Sequence, residues 1–169
     1  MEHNDRPVSA SRTTLSQVMM PEDANADANI HGGTIMKFAD TAAAVAAIRH
    51  SRKRVVTARV DGMNFLAPVY VGNLVHGLAS VNMAGRTSME VGVRIEAEDA
   101  RTGEVRHVAS AFFVYVALDD AGKPSSVPGL IAETEEDRRR LADAVRRDAG
   151  RQAERRRVRE ASTLIKSEN

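Results

Sequence analysis

The chain has 169 residues, 43% hydrophobic and 28% charged, with 24 basic against 23 acidic side chains and a formal net charge of +1. These values suit one globular domain with a sizeable core and exclude a disordered or fibrous class. The chain has no cysteine, so disulfide scaffolds, thiolate nucleophiles and thiolate metal sites are ruled out together, which fits a reducing compartment.

Residues 1–11 are polar, include Pro7 and show no periodicity, and they read as a flexible tail. The acidic residues of the first six positions, without an apolar h-region, exclude a secretory signal. Thr13 to Met20 predicts a first strand anchored by Leu15 and Val18, and Pro21 to Asn29 is a loop rich in turn formers. The loop delivers the chain to Gly32-Gly33 and a helix that runs to about His50. Between Ile35 and Ile48 only Lys37, Asp40 and Thr41 are polar, so this helix is expected to be buried. Its alanines favour helix and let other elements approach closely, and the basic cluster Arg49 to Arg54 suits the negative end of its dipole. The apolar-rich run 35–48 is too short to span a bilayer, and a cytoplasmic protein with neither membrane nor nucleic-acid partner is expected.

Four strand-like stretches follow: Val55 to Phe65, Leu74 to Met83, Ser88 to Glu98 and Val108 to Leu118. The third alternates most cleanly, with Met89, Val91, Val93, Ile95 and Ala97 on one face and Glu90, Arg94, Glu96 and Glu98 on the other. The fourth is almost continuously apolar and is expected to be covered on both faces. One apolar helix beside about five strands is economically packed when the sheet curls around it, and a second copy is expected to cover the side left open. The fold class is therefore α+β. After a loop, residues 133–160 predict a charged helix with acidic residues first and ten arginines from Arg138 to Arg159. Its only adjacent large apolar pair is Leu141 and Val145, so weak docking is expected. Its mixed charge favours a solvated helix over a nucleic-acid arm.

Two features carry chemistry. Gly32 and Gly33 open the central helix, where unpaired N–H groups and the positive dipole end suit an oxygen with developing negative charge, although a plain turn is the alternative. Asp40 lies inside the apolar helix, where an ionised carboxylate needs a partner or a use. The five histidines show no two-ligand spacing beside a carboxylate, so no metal site is expected. There is no G-x-S-x-G elbow, P-loop or dinucleotide fingerprint.

The run Asn29-Ile30-His31-Gly32-Gly33-Thr34-Ile35-Met36, then Asp40, Val56 to Phe65, Thr87-Ser88-Met89-Glu90-Val91 and Ala109 to Val116 closely resembles the cytosolic acyl-CoA hydrolase branch of the hotdog-fold thioesterases. The likeness covers about residues 13–137. It implies a hotdog domain at 12–130, an antiparallel sheet around one long helix, flanked by the tail at 1–11 and a charged helix and tail at 131–169. It also implies hydrolysis of acyl-coenzyme A to free acid and coenzyme A, with no cofactor beyond the substrate, active sites at a dimer interface, and a hexamer built from three dimers.

The residue chemistry agrees with that implication. Backbone N–H groups at Gly32 or Gly33 suit an oxyanion, and one such donor is commonly worth about 3 kcal/mol in a transition state. Asp40 is available as general base or, as the lesser option, nucleophile. Asn29 offers a side-chain amide to orient water or carbonyl. His31 suits a structural hydrogen bond at the helix entrance better than carbonyl polarisation. By the same resemblance Arg86, Thr87 and Ser88 meet the nucleotide end of coenzyme A, with an ordinary hairpin turn as the alternative. Asn64 and Phe65 line the channel, although Phe65 equally suits plain core. Gly33 and Asp40 lie about 10 Å apart along the helix at about 1.5 Å per residue, so one site is expected to join Asn29 and the glycines of one protomer to Asp40 of another. The rival readings are a hotdog enoyl-thioester hydratase and a non-catalytic acyl-CoA sensor or scaffold.

Overall fold

The computed structural model describes residues 5–167, with side chains described as far as residue 160. Its elements in chain order are β1 (Arg6–Pro7), β2 (Thr13–Val18), α1 (Gly32–Ser51), β3 (Arg54–Phe65), β4 (Leu74–Ala84), β5 (Ser88–Asp99), β6 (Glu104–Leu118), β7 (Leu130–Ile131) and α2 (Glu135–Ser167). Five strands form one antiparallel sheet in the order β2-β4-β5-β6-β3, and β1 pairs with β7 in parallel apart from it.

The sheet wraps α1. Val75, Val91, Ile95 and Phe113 point inward and are fully buried, as are Ala39, Ala42, Ala43 and Ala46 on the helix. The alanines let the strands approach closely, and Gly77 extends this: a Cβ there would stand 3.0 Å from Phe38 and 3.2 Å from Ala42. The helix ends where Arg52 adopts a left-handed φ of 56° and donates its N–H to Ile48. The far side of α1 is open, with Met36 and Ile48 exposed.

β3 is an edge strand. It bonds to β6 on one side only, with bulges between Thr57 and Arg59 and between Val60 and Gly62. Val56, Val60 and Phe65 on it are 43–51% exposed. A long apolar edge with unpaired backbone groups is a template for a further strand.

Three expectations need correction. The segment before β2, read as a flexible tail, is packed from residue 6 onward. Val8 is buried, the Ser11 hydroxyl donates to the Val8 carbonyl at 2.7 Å and accepts the Val81 N–H at 3.0 Å, and Arg6 donates to the His50 carbonyl at 2.8 Å. Polar side chains here satisfy backbone groups of the sheet and of the α1 terminus, which a hydrophobic count overlooks. Residues 1–4 of that segment lie outside the described residues. Within β2, Val18 is exposed and the neighbouring Met19 is buried in its place.

The third correction concerns α2, which docks firmly on the outer face of the sheet. Its seam is not Leu141 and Val145, the latter being exposed, but Asp137, Ala144, Arg147 and Arg151. Glu90, assigned to the polar face of β5, is 1% exposed beneath it. Arg147 donates to Glu90 at 2.6 Å and its guanidinium lies 3.8 Å from the Phe112 ring centroid, while Arg151 donates to Glu90 at 2.8 Å and also engages Asp61. Long charged side chains thus do the work reserved for leucines in the periodicity reading.

Removing one partner of a buried ion pair costs about 3–5 kcal/mol where the remaining charge is left unmet. Arg147 stays on Glu90 and Arg59 on Asp61 when Arg151 is replaced, so Arg151→Met should lower stability in urea melts by less than that. Glu90→Met, which takes the shared acceptor from both Arg147 and Arg151, should lower it by more than Arg151→Met does.

Candidate active site

Asp40 sits just short of the midpoint of α1, half-buried, where the helix meets β3 and β6. Its Oδ1 accepts the Thr57 hydroxyl at 2.9 Å and the Tyr115 hydroxyl at 2.6 Å. The Tyr115 hydroxyl also lies 2.8 Å from the Asp40 carbonyl oxygen. Thr57 and Tyr115 are direct partners across the β3–β6 ladder, so one cross-strand pair supplies both donors. Burial raises the Tyr115 phenol above its ordinary range, and the bond to Asp40 raises it further, so Tyr115 stays a neutral donor. Oδ2 of Asp40 has no hydrogen-bond partner among the described residues.

The mouth of α1 is built by the preceding loop. The first intrahelical bonds run from Thr34 and Ile35 to the His31 carbonyl at 3.0 and 3.2 Å, which leaves the N–H groups of Gly32 and Gly33 unpaired. Both glycines are exposed. A Cβ at Gly32 would touch the Phe65 ring at 3.4 Å, and one at Gly33 would meet open space. His31 is exposed and makes no side-chain capping bond, while its N–H donates to the Asp23 carbonyl at 2.9 Å.

The loop holds two asparagines. Asn29 pairs through its backbone with Tyr70. Asn25 organises the turn: its Oδ1 accepts the N–H groups of Asp27 at 3.0 Å and Asn29 at 3.1 Å, and its own N–H donates to the Asn29 carbonyl at 2.7 Å. The Nδ2 donors of Asn25 have no partner among the described residues. Ala28 between them has a left-handed φ of 60°, a costly conformation for a residue with a Cβ.

The sequence-derived residues divide between two ends of the molecule. Asp40 and the β4–β5 hairpin with Arg86, Thr87 and Ser88 share one end, beside Thr57: Ser88 pairs with Val116, which pairs with Val56. The hairpin is held by Val127 N–H donating to the Arg86 carbonyl and Ala117 N–H to the Thr87 carbonyl, both at 3.0 Å. Gly32, Gly33, His31, Asn64 and Phe65 share the other end, where Asn64 and Phe65 pair with Ser110 and Ala109. One chain does not bring Asp40 to a helix mouth. Two cavities of about 510 and 740 Å³ in the single chain are lined by other residues.

Sequence reasoning overlooked Tyr115 and Thr57 as partners of Asp40, and Asn25 as the residue organising the loop. A Tyr in a continuously apolar strand and a Thr in an edge strand signal nothing until the ladder register sets them opposite one another.

The description "Thioesterase superfamily" fits residues 28–104 of this chain. An uncharacterized acyl-CoA thioester hydrolase of Bacillus subtilis, YkhA, is 37% identical over 127 residues, 75% of this chain and 74% of that protein. An acyl-CoA hydrolase of Staphylococcus aureus, solved with butyryl coenzyme A, coenzyme A and coenzyme A disulfide, superposes with a TM-score of 0.86 at 32% identity, covering 95% of this chain and 98% of that one. The same hydrolase has been solved with an asparagine, an aspartate or a threonine replaced by alanine, at positions successively 15 and 17 residues apart. The hexameric thioesterase y2039 of Yersinia pestis superposes with a TM-score of 0.64 at 36% identity, over 75% of this chain and 98% of that one.

Proposed function

The chain belongs to the thioesterase superfamily, with the hotdog fold, and from that premise we infer that it is an acyl-CoA thioesterase in which Asp40 is the general base. The observation that carries the role of Asp40 is its asymmetry. Oδ1 is fixed by Thr57 and Tyr115, and Oδ2 is left without a partner. Oδ2 takes a proton from a water molecule, whose oxygen bonds to the thioester carbonyl carbon. The carbonyl oxygen, now carrying the charge, is held by the unpaired N–H groups of a helix mouth. The carbon–sulfur bond then breaks, the thiolate takes the proton from Asp40, and the free acid and coenzyme A leave.

The helix mouth in that site belongs to a second copy. An antiparallel pairing of β3 with its twin, centred on Asp61, sets Thr57 opposite the partner's Phe65. Because Phe65 packs on Gly32 and Thr57 bonds Asp40, this symmetric pairing brings each Asp40 towards the other helix mouth. It also closes the exposed edge of β3. Each site then draws Asp40, Thr57 and the Arg86–Ser88 hairpin from one protomer, and the Asn25 loop, Gly32, Gly33, Asn64 and Phe65 from the other. The amide role expected of Asn29 passes to Asn25, because Asn25, Asp40 and Thr57 reproduce the 15- and 17-residue spacings of the replaced Staphylococcus residues. His31 serves through its backbone alone, its N–H on the Asp23 carbonyl and its carbonyl on the first helical N–H groups, and its exposed side chain makes no capping bond.

The protein is a homo-oligomer that takes acyl-CoA, and by likeness to the Yersinia protein three such dimers form a hexamer. Among the described residues no helix is long and apolar enough to cross a membrane, and a cytoplasmic location is the corresponding proposal. No step asks for a cofactor.

Three outcomes follow for free-thiol release from a panel of acyl-CoA chain lengths. Asp40→Asn should lose about 100-fold or more in kcat, the scale of a removed general base, and Tyr115→Phe about tenfold through a displaced carboxylate. Wild-type turnover without loss on Asp40→Asn would reject the mechanism. Enoyl-thioester hydration would give product without thiol. Mixed dimers of Asn25→Ala and Asp40→Ala chains should regain activity that neither homodimer has, since one of the two sites is then intact. Failure in verified heterodimers would place both residues in one protomer's site. Exhaustive treatment with EDTA should leave kcat unchanged, and a loss restored by a divalent cation would overturn the metal-free chemistry.

A further inference from the structure

The face of the sheet opposite α1 holds a second constellation that thioester hydrolysis does not use. There β4, β5 and β6 present Ser80, Asn82, Gly92 and Ser110, small or polar residues where a helix-covered sheet ordinarily carries large apolar ones. α2 crosses above them. It is fastened at one end by Asp137 to Arg12 at 3.1 Å and farther along by Arg147 and Arg151 to Glu90. Between the two fastenings, beside the contact at Ala144, a cavity of about 510 Å³ remains, a size typical of small-molecule sites.

Its floor is polar and faces the cavity. Asn82 and Ser80 are 5% and 6% exposed, both line the cavity, and neither side chain has a hydrogen-bond partner among the described residues. Their polar atoms open onto the cavity, since among the described residues only His50 Nδ1 is a fully buried side-chain polar atom without a partner, so a ligand there would take the place of water on an amide and a hydroxyl. Gly92 makes the arrangement possible, since a Cβ there would stand 2.6 Å from Asn82 Nδ2. Leu78 and Phe112 form apolar wall, and the guanidiniums of Arg139 and Arg140 form the roof. Glu136 holds those two side by side, accepting from Arg139 at 2.7 Å and Arg140 at 2.8 Å. The two terminal nitrogens of Arg140 have no partner among the described residues. Four unused N–H donors in a planar fork above a neutral amide and hydroxyl suit a doubly charged oxyanion joined to an uncharged hydrogen-bonding body.

We propose that this cavity between α2 and the outer sheet binds a small phosphate monoester, its phosphate on Arg140 and Arg139 and its uncharged body on Asn82 and Ser80. The sheet separates the cavity from Asp40, so occupancy does not compete with the acyl-CoA thioester.

Isothermal titration of the full chain at fixed ionic strength, with adenosine 5′-monophosphate, glucose 6-phosphate and inorganic phosphate, tests this. At least one ester should bind saturably and about tenfold or more tighter than inorganic phosphate, the two esters telling a nucleoside body from a sugar. Arg140→Ala, a change at an exposed side chain, should weaken that ester about tenfold or more, the scale of a lost charged hydrogen bond. Ser80→Ala and Asn82→Ala, each with an unchanged melting curve, should weaken the ester but not inorganic phosphate. Saturating coenzyme A should leave the ester's affinity unaltered. The proposal fails if neither ester binds, if inorganic phosphate binds as well, if the variants bind like wild type, or if coenzyme A displaces the ester. It fails equally if cross-linking places Arg140 against a second copy of the chain.

Discussion

One acid placed inside the helix that everything else surrounds is the constraint on which this structure rests. A charged carboxylate in an apolar helix must be met by donors, and here both donors to Oδ1 come from the single cross-strand pair Thr57–Tyr115. The fold and the chemistry therefore share one requirement, the register of β3 against β6. A one-residue slip of β3 would turn the Thr57 hydroxyl to the other face and take one of its two donors from Asp40 Oδ1. Tyr115 reinforces the point, being 1% exposed and reaching the Asp40 carbonyl as well as its carboxylate.

That register is also governed from the opposite face. Arg151 on α2 grips Glu90 of β5 and Asp61 of β3, strands separated in the sheet by β6. Asp61 lies within the second bulge of β3, and Arg59 near it is tied both to Asp61 at 2.7 Å and to Glu154 at 2.8 Å. The outer helix thus holds the edge strand at its bent centre, while the inner helix holds it at Thr57 and Phe65. Buried ion pairs add little net stability relative to apolar packing, but they are directional. An edge strand that must present one register gains from that direction.

The five-stranded sheet around one helix was legible because period-two alternation and an unbroken apolar helix survive in any environment. The acid in the helix and the glycine mouth were legible for a related reason: a carboxylate at an apolar position and two glycines at a loop–helix joint break the local pattern. What stayed hidden was polar matter recruited as packing. Glu90 reads as surface by alternation and is core because Arg147 and Arg151 arrive from about 60 residues away. Ser11 and Arg6 read as tail, yet they complete backbone groups of β4 and α1. Thr57 and Tyr115 could be named only once the strands were paired. Of the two asparagines in the entry loop, adjacency to the glycines favoured Asn29, whereas the loop is built on the side chain of Asn25. Proximity in sequence and proximity in function diverge wherever a turn intervenes.

Among the described residues the single chain shows three unmet demands: an edge strand with unpaired backbone and exposed Val56, Val60 and Phe65, a helix mouth with unpaired N–H groups, and a carboxylate oxygen with no donor. Each would be an odd defect alone. They lie along one side of the molecule, because α1 and β3 run side by side in opposite directions, Gly32 beside Phe65 and Asp40 beside Thr57. In the proposed dimer a two-fold axis through the centre of β3 would exchange those ends, so that one symmetric contact would pair the edge and cover the apolar side chains. It would also face each acid with an amide-lined mouth across a shared cleft. A heterologous contact could close the edge but would complete at most one of the two clefts and leave other copies of the same surface open. The symmetry of the proposed assembly therefore rests on the antiparallel course of one helix and one strand.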